Sequence, residues 1–229
     1  MGTSTSSASE SRDSFAGAFG QASVDGFTVD QIPLARIARR AGAKRALDLI
    51  GVPVVGLALA IPFVVAAAAV RATMGAPVFI TQPRVGRDGR VFGMHKLRTM
   101  DVATGTTATL PEDNRVTPVG RWLRRLHVDE LPQLWNILKG DMSLVGPRPE
   151  QPHYVADYIR QMPAFELRTK VLPGLTGWAQ LRSGYAADVS ETELKLAHDL
   201  YYLENWSFVF DLLILAETVL TFGLGKGAR

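Results

Sequence analysis

The 229-residue chain has no cysteine. Disulfide frameworks, thiolate zinc, iron–sulfur clusters, c-type haem attachment and thiol nucleophiles are therefore excluded, and any catalytic nucleophile must be oxygen or nitrogen. There is no G-x-x-x-x-G-K-[ST], and the one G-x-G, Gly223-Leu224-Gly225, stands near the C-terminus, so a P-loop or dinucleotide site is not supported. A G-x-S-x-G nucleophile elbow is missing as well. The four histidines, His95, His127, His153 and His198, show no paired metal spacing. The start of the chain lacks the basic residues and prompt apolar run of a signal peptide, so that route of secretion is not expected. The pattern Met1-Gly2 with Ser6 fits myristoylation but is too short to be specific. No internal repeat or long charge block is present.

What is present begins with a composition that can bury a core: 47% hydrophobic and 21% charged residues, with a formal net charge of +3. The charge is unevenly spread, at −3 over residues 1–33, +4 over 34–48, +6 over 71–125 and −4 over 126–229. Residues 1–33 are rich in Ser, Gly, Ala and Thr, with too little apolar content to offset chain entropy, and read as a flexible tail ahead of a domain spanning 34–229. From Leu49 to Val70 run 22 residues without a charge, long enough as a straight helix to cover the ~30 Å of bilayer hydrocarbon. Membrane lipid is thus an expected partner. Pro53 and Pro62 interrupt the run, and Lys44, Arg45 and Arg71 flank it on both sides. Positive flanks favour the same side of a membrane for both ends, which a re-entrant hairpin broken at Pro62 satisfies; a kinked spanning helix is the alternative. The apolar run also accounts for the basic flanks better than nucleic acid does, so no nucleic-acid partner is expected.

Beyond the run, 76–81 and 91–94 read as short strands around an Arg87-Asp88-Gly89-Arg90 turn. Thr117-Pro118 is a cap followed by proline at the first helical position. A second short helix is expected from Asp129 to a glycine stop at Gly140. Ser190 and Glu193 form a capping box for a helix towards Leu203. The aromatic segment from Tyr201 to Phe210 and the apolar run Leu212 to Ala216 fit either an interfacial amphipathic helix or a buried helix pair.

The chemistry concentrates in 120–150, GRWLRRLHVDELPQLWNILKGDMSLVGPRPE. Asp129 alone reads as a helix N-cap and Glu130 as a favourable first-turn charge. The functional reading places a phosphate group at that helix N-terminus, clamped by Arg124 and Arg148. Neighbouring helical residues lie about 100° apart, so the two carboxylates would approach a substrate from different sides and can take different tasks.

With KRALDL at 44–49, HKLRTM at 95–100, LRRLHVDELPQLWNILKGDMSLVGPRPE at 123–150, LPGLTGWAQ at 172–180 and DLYYLENWSFVFDL at 199–212, the chain resembles the monotopic phosphoglycosyl transferases, also called bacterial sugar transferases. The resemblance implies a mainly helical α/β catalytic domain with interfacial amphipathic helices and a re-entrant membrane helix over about 47–71, broken at Pro62. It implies transfer of a sugar 1-phosphate from a UDP-sugar to polyprenyl phosphate, commonly undecaprenyl phosphate, with release of UMP, as the start of surface glycan synthesis. By the same resemblance Asp129 is the nucleophile of a covalent phosphosugar-aspartyl intermediate and a ligand of Mg²⁺. Glu130 is its partner carboxylate, acting as a base in the second half-reaction. Arg124, Arg148 and Lys96 contact phosphate. The location implied is the bacterial inner membrane, catalytic face towards the cytoplasm; a homodimer is compatible with this and not specified by it. Two alternatives stay open: single-step transfer with Asp129 only as metal ligand, and a non-catalytic membrane scaffold. The chain departs from the family pattern at Ile61, Leu172 and Arg182-Ser183-Gly184, which leaves the sugar unassigned.

Overall fold

The computed structural model describes residue 32 and residues 34–39, 41–100, 115–183 and 189–223. The tail expected over 1–33 lies outside them apart from Ile32, which is buried in the main core. The described residues are mostly helical with little sheet, as the sequence predicts.

After α1 (Leu34–Arg39), the apolar run folds into α2 (Ala41–Ala58) and α3 (Ala60–Met74), joined at Leu59 with a 64° bend. Pro62 explains where the bend falls. It is the third residue of α3, its nitrogen has no hydrogen to donate to Ala58, and its ring crowds that carbonyl, so the axis turns one helical turn before the proline itself. Leu59 N–H still donates to Val55 (2.9 Å) and Phe63 N–H to Leu59 (3.0 Å), which keeps the joint ordered. Pro53 sits inside α2 without dividing it. Among the described residues no single helix is long and apolar enough to cross a membrane, whereas the bent pair passes that test together. Its apolar side chains are largely uncovered, Leu57 at 82% and Ile61 at 78% exposure.

The charged residues before the apolar run tie α2 to the rest of the protein. Asp48 is buried, and its Oδ1 accepts from Ser143 Oγ (2.9 Å) and from the Leu144 N–H (2.8 Å). The Arg45 guanidinium donates to the carbonyls of Ile137 (2.5 Å) and Leu138 (2.6 Å). Lys44 pairs with Asp211 at 2.7 Å, and that carboxylate also accepts from Tyr202 Oη (2.7 Å) and Trp206 Nε1 (3.2 Å).

β1 (Phe79–Val85) and β2 (Val91–Leu97) form an antiparallel hairpin around a 3₁₀ turn at Arg87–Gly89. Both strands run further than the sequence pattern indicates, and the first begins later, past Pro77, which has no N–H for a ladder. α4 (Pro118–Arg125) starts as expected: Thr117 Oγ1 accepts from the Gly120 N–H at 3.0 Å, with Pro118 next in the chain. α5 (Gln133–Lys139) ends at Gly140 in the left-handed conformation, φ 89°, where the glycine stop was expected.

β3 (Ser143–Val145) and β4 (Gly174–Thr176) pair in parallel. The backbones touch closely here, and a Cβ on Gly174 would lie 2.1 Å from the Gly146 nitrogen. The chain also forms α6 (Pro152–Gln161) after β3, a 3₁₀ segment (Pro163–Lys170) packed against α6, and α7 (Trp178–Arg182) after β4. α8 (Val189–Asn205) and α9 (Phe208–Gly223) follow. The side chain of Ser190 lies outside the described residues, and with it the expected capping box. The two readings of the aromatic segment divide between faces. Tyr202, Trp206 and Ile214 are buried in the main core with Leu196, Leu200 and Leu203, while Val209, Leu213, Val219 and Leu220 are exposed.

Replacing Asp48 by alanine leaves the Leu144 N–H and Ser143 hydroxyl buried without their acceptor, and should cost about 2–3 kcal/mol. Denaturant unfolding of the purified protein in detergent measures this, and Asp48→Ala with wild-type stability would show that the contact does not hold α2 in place.

Candidate active site

The segment from Thr117 to Gly140 builds the site. The chain leaves α4 at Arg125 and reverses at His127, whose φ of 54° is in the left-handed region that few residues other than glycine adopt. A single 3₁₀ turn, Val128–Glu130, follows directly. The helix expected to start at Asp129 in fact starts at Gln133, and Asp129 is not its N-cap; that position belongs to Pro132. The reason is local. Pro132 has no N–H to donate to the Val128 carbonyl, which instead accepts from the Leu131 N–H at 3.3 Å, so Asp129 and Glu130 occupy a separate tight turn. Successive side chains on a 3₁₀ turn are about 120° apart, in place of the 100° of the expected α-helix.

Their surroundings differ sharply. Glu130, 9% exposed, receives a fork from Arg148, whose Nη1 donates to Oε2 at 3.2 Å and Nη2 to Oε1 at 2.5 Å. Lys96 Nζ donates to the same Oε1 at 3.0 Å. Asp129, 6% exposed, has no hydrogen-bond or ion-pair partner among the described residues. Burial, followed by the charge of Glu130, raises the Asp129 pKa above the usual carboxylate range, although Lys96, Arg124 and His127 pull the other way. Burial pushes Glu130 in the same direction, but Arg148 and Lys96 outweigh it and hold that carboxyl well below its ordinary value. Two adjacent carboxylates with pKa values driven apart have separate chemical roles.

All five predicted polar residues meet here. Lys96 comes from β2, Arg148 from the Pro147-Arg148-Pro149 turn after β3, and Arg124 from α4, where its Nε donates to Thr99 Oγ1 at 2.9 Å and its charge acts on Asp129. Other positions in the same motifs are structural. Arg98 closes the end of α3, donating to the carbonyls of Met74, Gly75 (3.1 Å) and Ala76 (3.0 Å). Asn136 was not singled out from the sequence, yet it sets the edge of β2 beside Lys96: its Oδ1 accepts from the His95 N–H at 3.0 Å and its Nδ2 donates to Gly93 O at 2.8 Å. A side-chain amide that imitates a neighbouring strand leaves no periodic signal by which sequence reading would find it.

Beside the turn opens an apolar cavity of about 470 Å³, lined by Leu59 and Phe63 at the helix bend, Phe79 and His95 of the hairpin, and Pro132 and Trp135. Among the described residues no group of three His, Cys, Asp or Glu side chains is arranged to hold a metal ion.

The opposite pKa directions predict opposite effects on stability. Protonated Asp129 suits the fold better than the ionised form, so its charge opposes folding at neutral pH and Asp129→Asn should raise Tm. Ionised Glu130 is the form the fold prefers. Its contribution is present above its unfolded pKa of about 4.3 and is lost as pH falls through the lower folded value, so Glu130→Gln should cost about 3 kcal/mol at neutral pH. Thermal unfolding of both variants from pH 3 to 8 tests this, and a lower Tm for Asp129→Asn at neutral pH would contradict it.

Residues 39–224 match the family model described as bacterial sugar transferase. The chain is 42% identical over 190 residues to a UDP-N-acetylgalactosamine-undecaprenyl-phosphate N-acetylgalactosaminephosphotransferase of Aeromonas hydrophila, covering 81% of this chain and 45% of that protein. It is 39% identical over 185 residues to a UDP-glucose:undecaprenyl-phosphate glucose-1-phosphate transferase of Caulobacter vibrioides, covering 77% of this chain and 68% of the relative. It is 45% identical over 153 residues to the uncharacterized sugar transferase EpsL of Bacillus subtilis, covering 66% and 73%. The chain thus spans less than half the length of the Aeromonas protein. The matched region takes in the bent helix pair, the hairpin, the Asp129-Glu130 turn and the Arg148 loop, and on that span the chain belongs to the bacterial sugar transferase family.

Proposed function

We propose that this protein transfers a sugar 1-phosphate from a UDP-sugar to a polyprenyl phosphate such as undecaprenyl phosphate, as the first step in building a surface glycan. The observation that carries the reading is the contrast within the carboxylate pair: Glu130 is locked to two cations, while Asp129 next to it has none bonded to its oxygens among the described residues.

In the proposed first step an Asp129 oxygen attacks the phosphorus joined to the sugar. The bond from that phosphorus to the bridging oxygen breaks, and UMP leaves with the electron pair. In the second step an oxygen of the lipid phosphate attacks the same phosphorus and the Asp129 carboxylate is released, leaving a sugar diphosphate on the lipid. A carboxylate approaching an anionic diphosphate is repelled, so cationic groups must screen it. Lys96, Arg148 and Arg124 surround the pair and supply that positive field. Glu130 is held ionised, which makes it a poor proton acceptor; its task in this reading is to fix Lys96 and Arg148 rather than to serve as base.

Magnesium binds through one or two carboxylates and takes further ligands from phosphate and water, so Asp129, with no cation bonded to it among the described residues, fits as its protein ligand in company with the donor diphosphate. The ion would supply neutralisation of charge on the diphosphate.

The bent pair α2–α3 is proposed as a re-entrant membrane element in the bacterial inner membrane, with the site facing the cytoplasm. Support comes from its exposed apolar side chains and from basic residues at both ends, Lys44 and Arg45 before and Arg71 after. The cavity under the bend suits the hydrocarbon of the lipid acceptor, since its lining is apolar and it adjoins the segment that follows Asp129.

Incubating the protein with a UDP-sugar and magnesium but no lipid, then measuring intact mass, tests the central step. Wild type should gain one sugar phosphate and release one UMP, and Asp129→Asn should gain nothing and lose at least about 10³-fold in turnover. Lipid-linked product from wild type with no adduct at any time would favour single-step transfer.

A further inference from the structure

The loop that carries Arg148 is short of donors, because Pro147 and Pro149 have no N–H. Its carbonyls are nonetheless all engaged. Pro147 accepts from the Gly174 N–H (2.9 Å), Arg148 from Arg168 Nη2 (2.9 Å), Pro149 from Arg84 Nη1 (3.2 Å), and Glu150 from the Val85 N–H (2.9 Å). Of these four donors, Arg168 is the one that bonds the carbonyl of Arg148 itself.

Arg168 is closely held. It is 5% exposed, its Nη2 and Nε lie 2.7 and 3.0 Å from Asp199 Oδ2, and its guanidinium stacks 4.7 Å from the centre of the Phe165 ring. Asp199 belongs to α8, which is packed into the main core through Leu196, Leu200 and Leu203. A buried ion pair contributes little net stability against its desolvation, and burial lifts the Asp199 carboxyl above its usual range even with Arg168 beside it. A hydrophobic pair would fill the space as well, but could not hold a carboxylate through Nε and Nη2 and donate from the same Nη2 to a backbone carbonyl.

We infer that Arg168, braced by Asp199, is a positioning residue that fixes the Arg148 peptide and so aims the Arg148 guanidinium at the carboxylate pair. The inference rests on the proposed role of Arg148 in phosphosugar transfer. Misplacing a charge-bearing group by about 1 Å commonly costs up to about a hundredfold in rate. A residue acting through Arg148 should lose its effect once Arg148 no longer makes its own contacts.

The test is a double-mutant cycle on the full chain in detergent. Arg148→Lys, Arg168→Lys and the double variant are assayed with undecaprenyl phosphate and whichever of UDP-glucose and UDP-N-acetylgalactosamine releases UMP with wild type. Rates are expressed per folded molecule, with the folded fraction taken from thermal unfolding. Arg168→Lys should lower kcat at least about tenfold with KM for the donor changed less than about twofold, and the double variant should be no slower than Arg148→Lys within about twofold. Losses that multiply, or an unchanged kcat per folded molecule, would overturn the inference and leave the proposed function standing. A wild-type rate from Arg148→Lys would remove Arg148 from the site and the inference with it. Should Arg168→Lys not fold, Asp199→Asn, which keeps the shape and loses the counter-charge, enters the same cycle with the same expected non-additivity.

Discussion

The anchoring of Glu130 by Lys96 and Arg148 is the interaction on which the rest of the site depends. It joins three parts of the chain that share no secondary structure: the hairpin, the 3₁₀ turn and the loop after β3. It also commits Lys96 and Arg148, while Asp129, one residue away and similarly buried, has no hydrogen-bond or ion-pair partner among the described residues. Burial and a negative neighbour make that state costly. A structure organised for stability alone would place a neutral residue there, and the cost is concentrated where the proposed chemistry needs a reactive oxygen.

Around this pair the protein uses the helices less as carriers of side chains than as fixed posts. Arg45, Arg98 and Arg168 all spend their guanidinium groups on backbone carbonyls, at the end of α5, at the end of α3 and on the Arg148 peptide. Each closes a place where helix or turn geometry leaves acceptors without internal partners. Much of the basic character that looks like phosphate binding in the sequence is therefore architectural. Lys96, Arg124 and Arg148 are distinguished from these by facing the carboxylates.

The local features legible from sequence were those with a local cause. Thr117 and Pro118 opened a helix, Gly140 closed one, the turn at Arg87 to Arg90 separated two strands, and the five polar site residues came from motifs. Two readings were displaced along the chain by the local effect of a proline, and others failed where distant neighbours decide. The helix expected from Asp129 begins at Gln133, because Pro132 cuts it from the preceding turn. The break attributed to Pro62 appears at Leu59, since a proline disturbs the carbonyl four residues before it. Asn136 and Arg168 carry no signal of their own, as an amide or guanidinium acting on remote backbone has no characteristic spacing. The aromatic segment could not be assigned to core or surface because α8 and α9 present both faces, and only the packing of Trp206 and Ile214 separates them.

The Lys44–Asp211 contact has a consequence for the order in which the protein is made. It links residues 167 apart, with Tyr202 and Trp206 completing the same knot. The base of α2 thus cannot reach its final setting until nearly all of the described chain has left the ribosome. The setting of α2 at its base is decided by a carboxylate made late in synthesis, well after the Asp129-Glu130 turn.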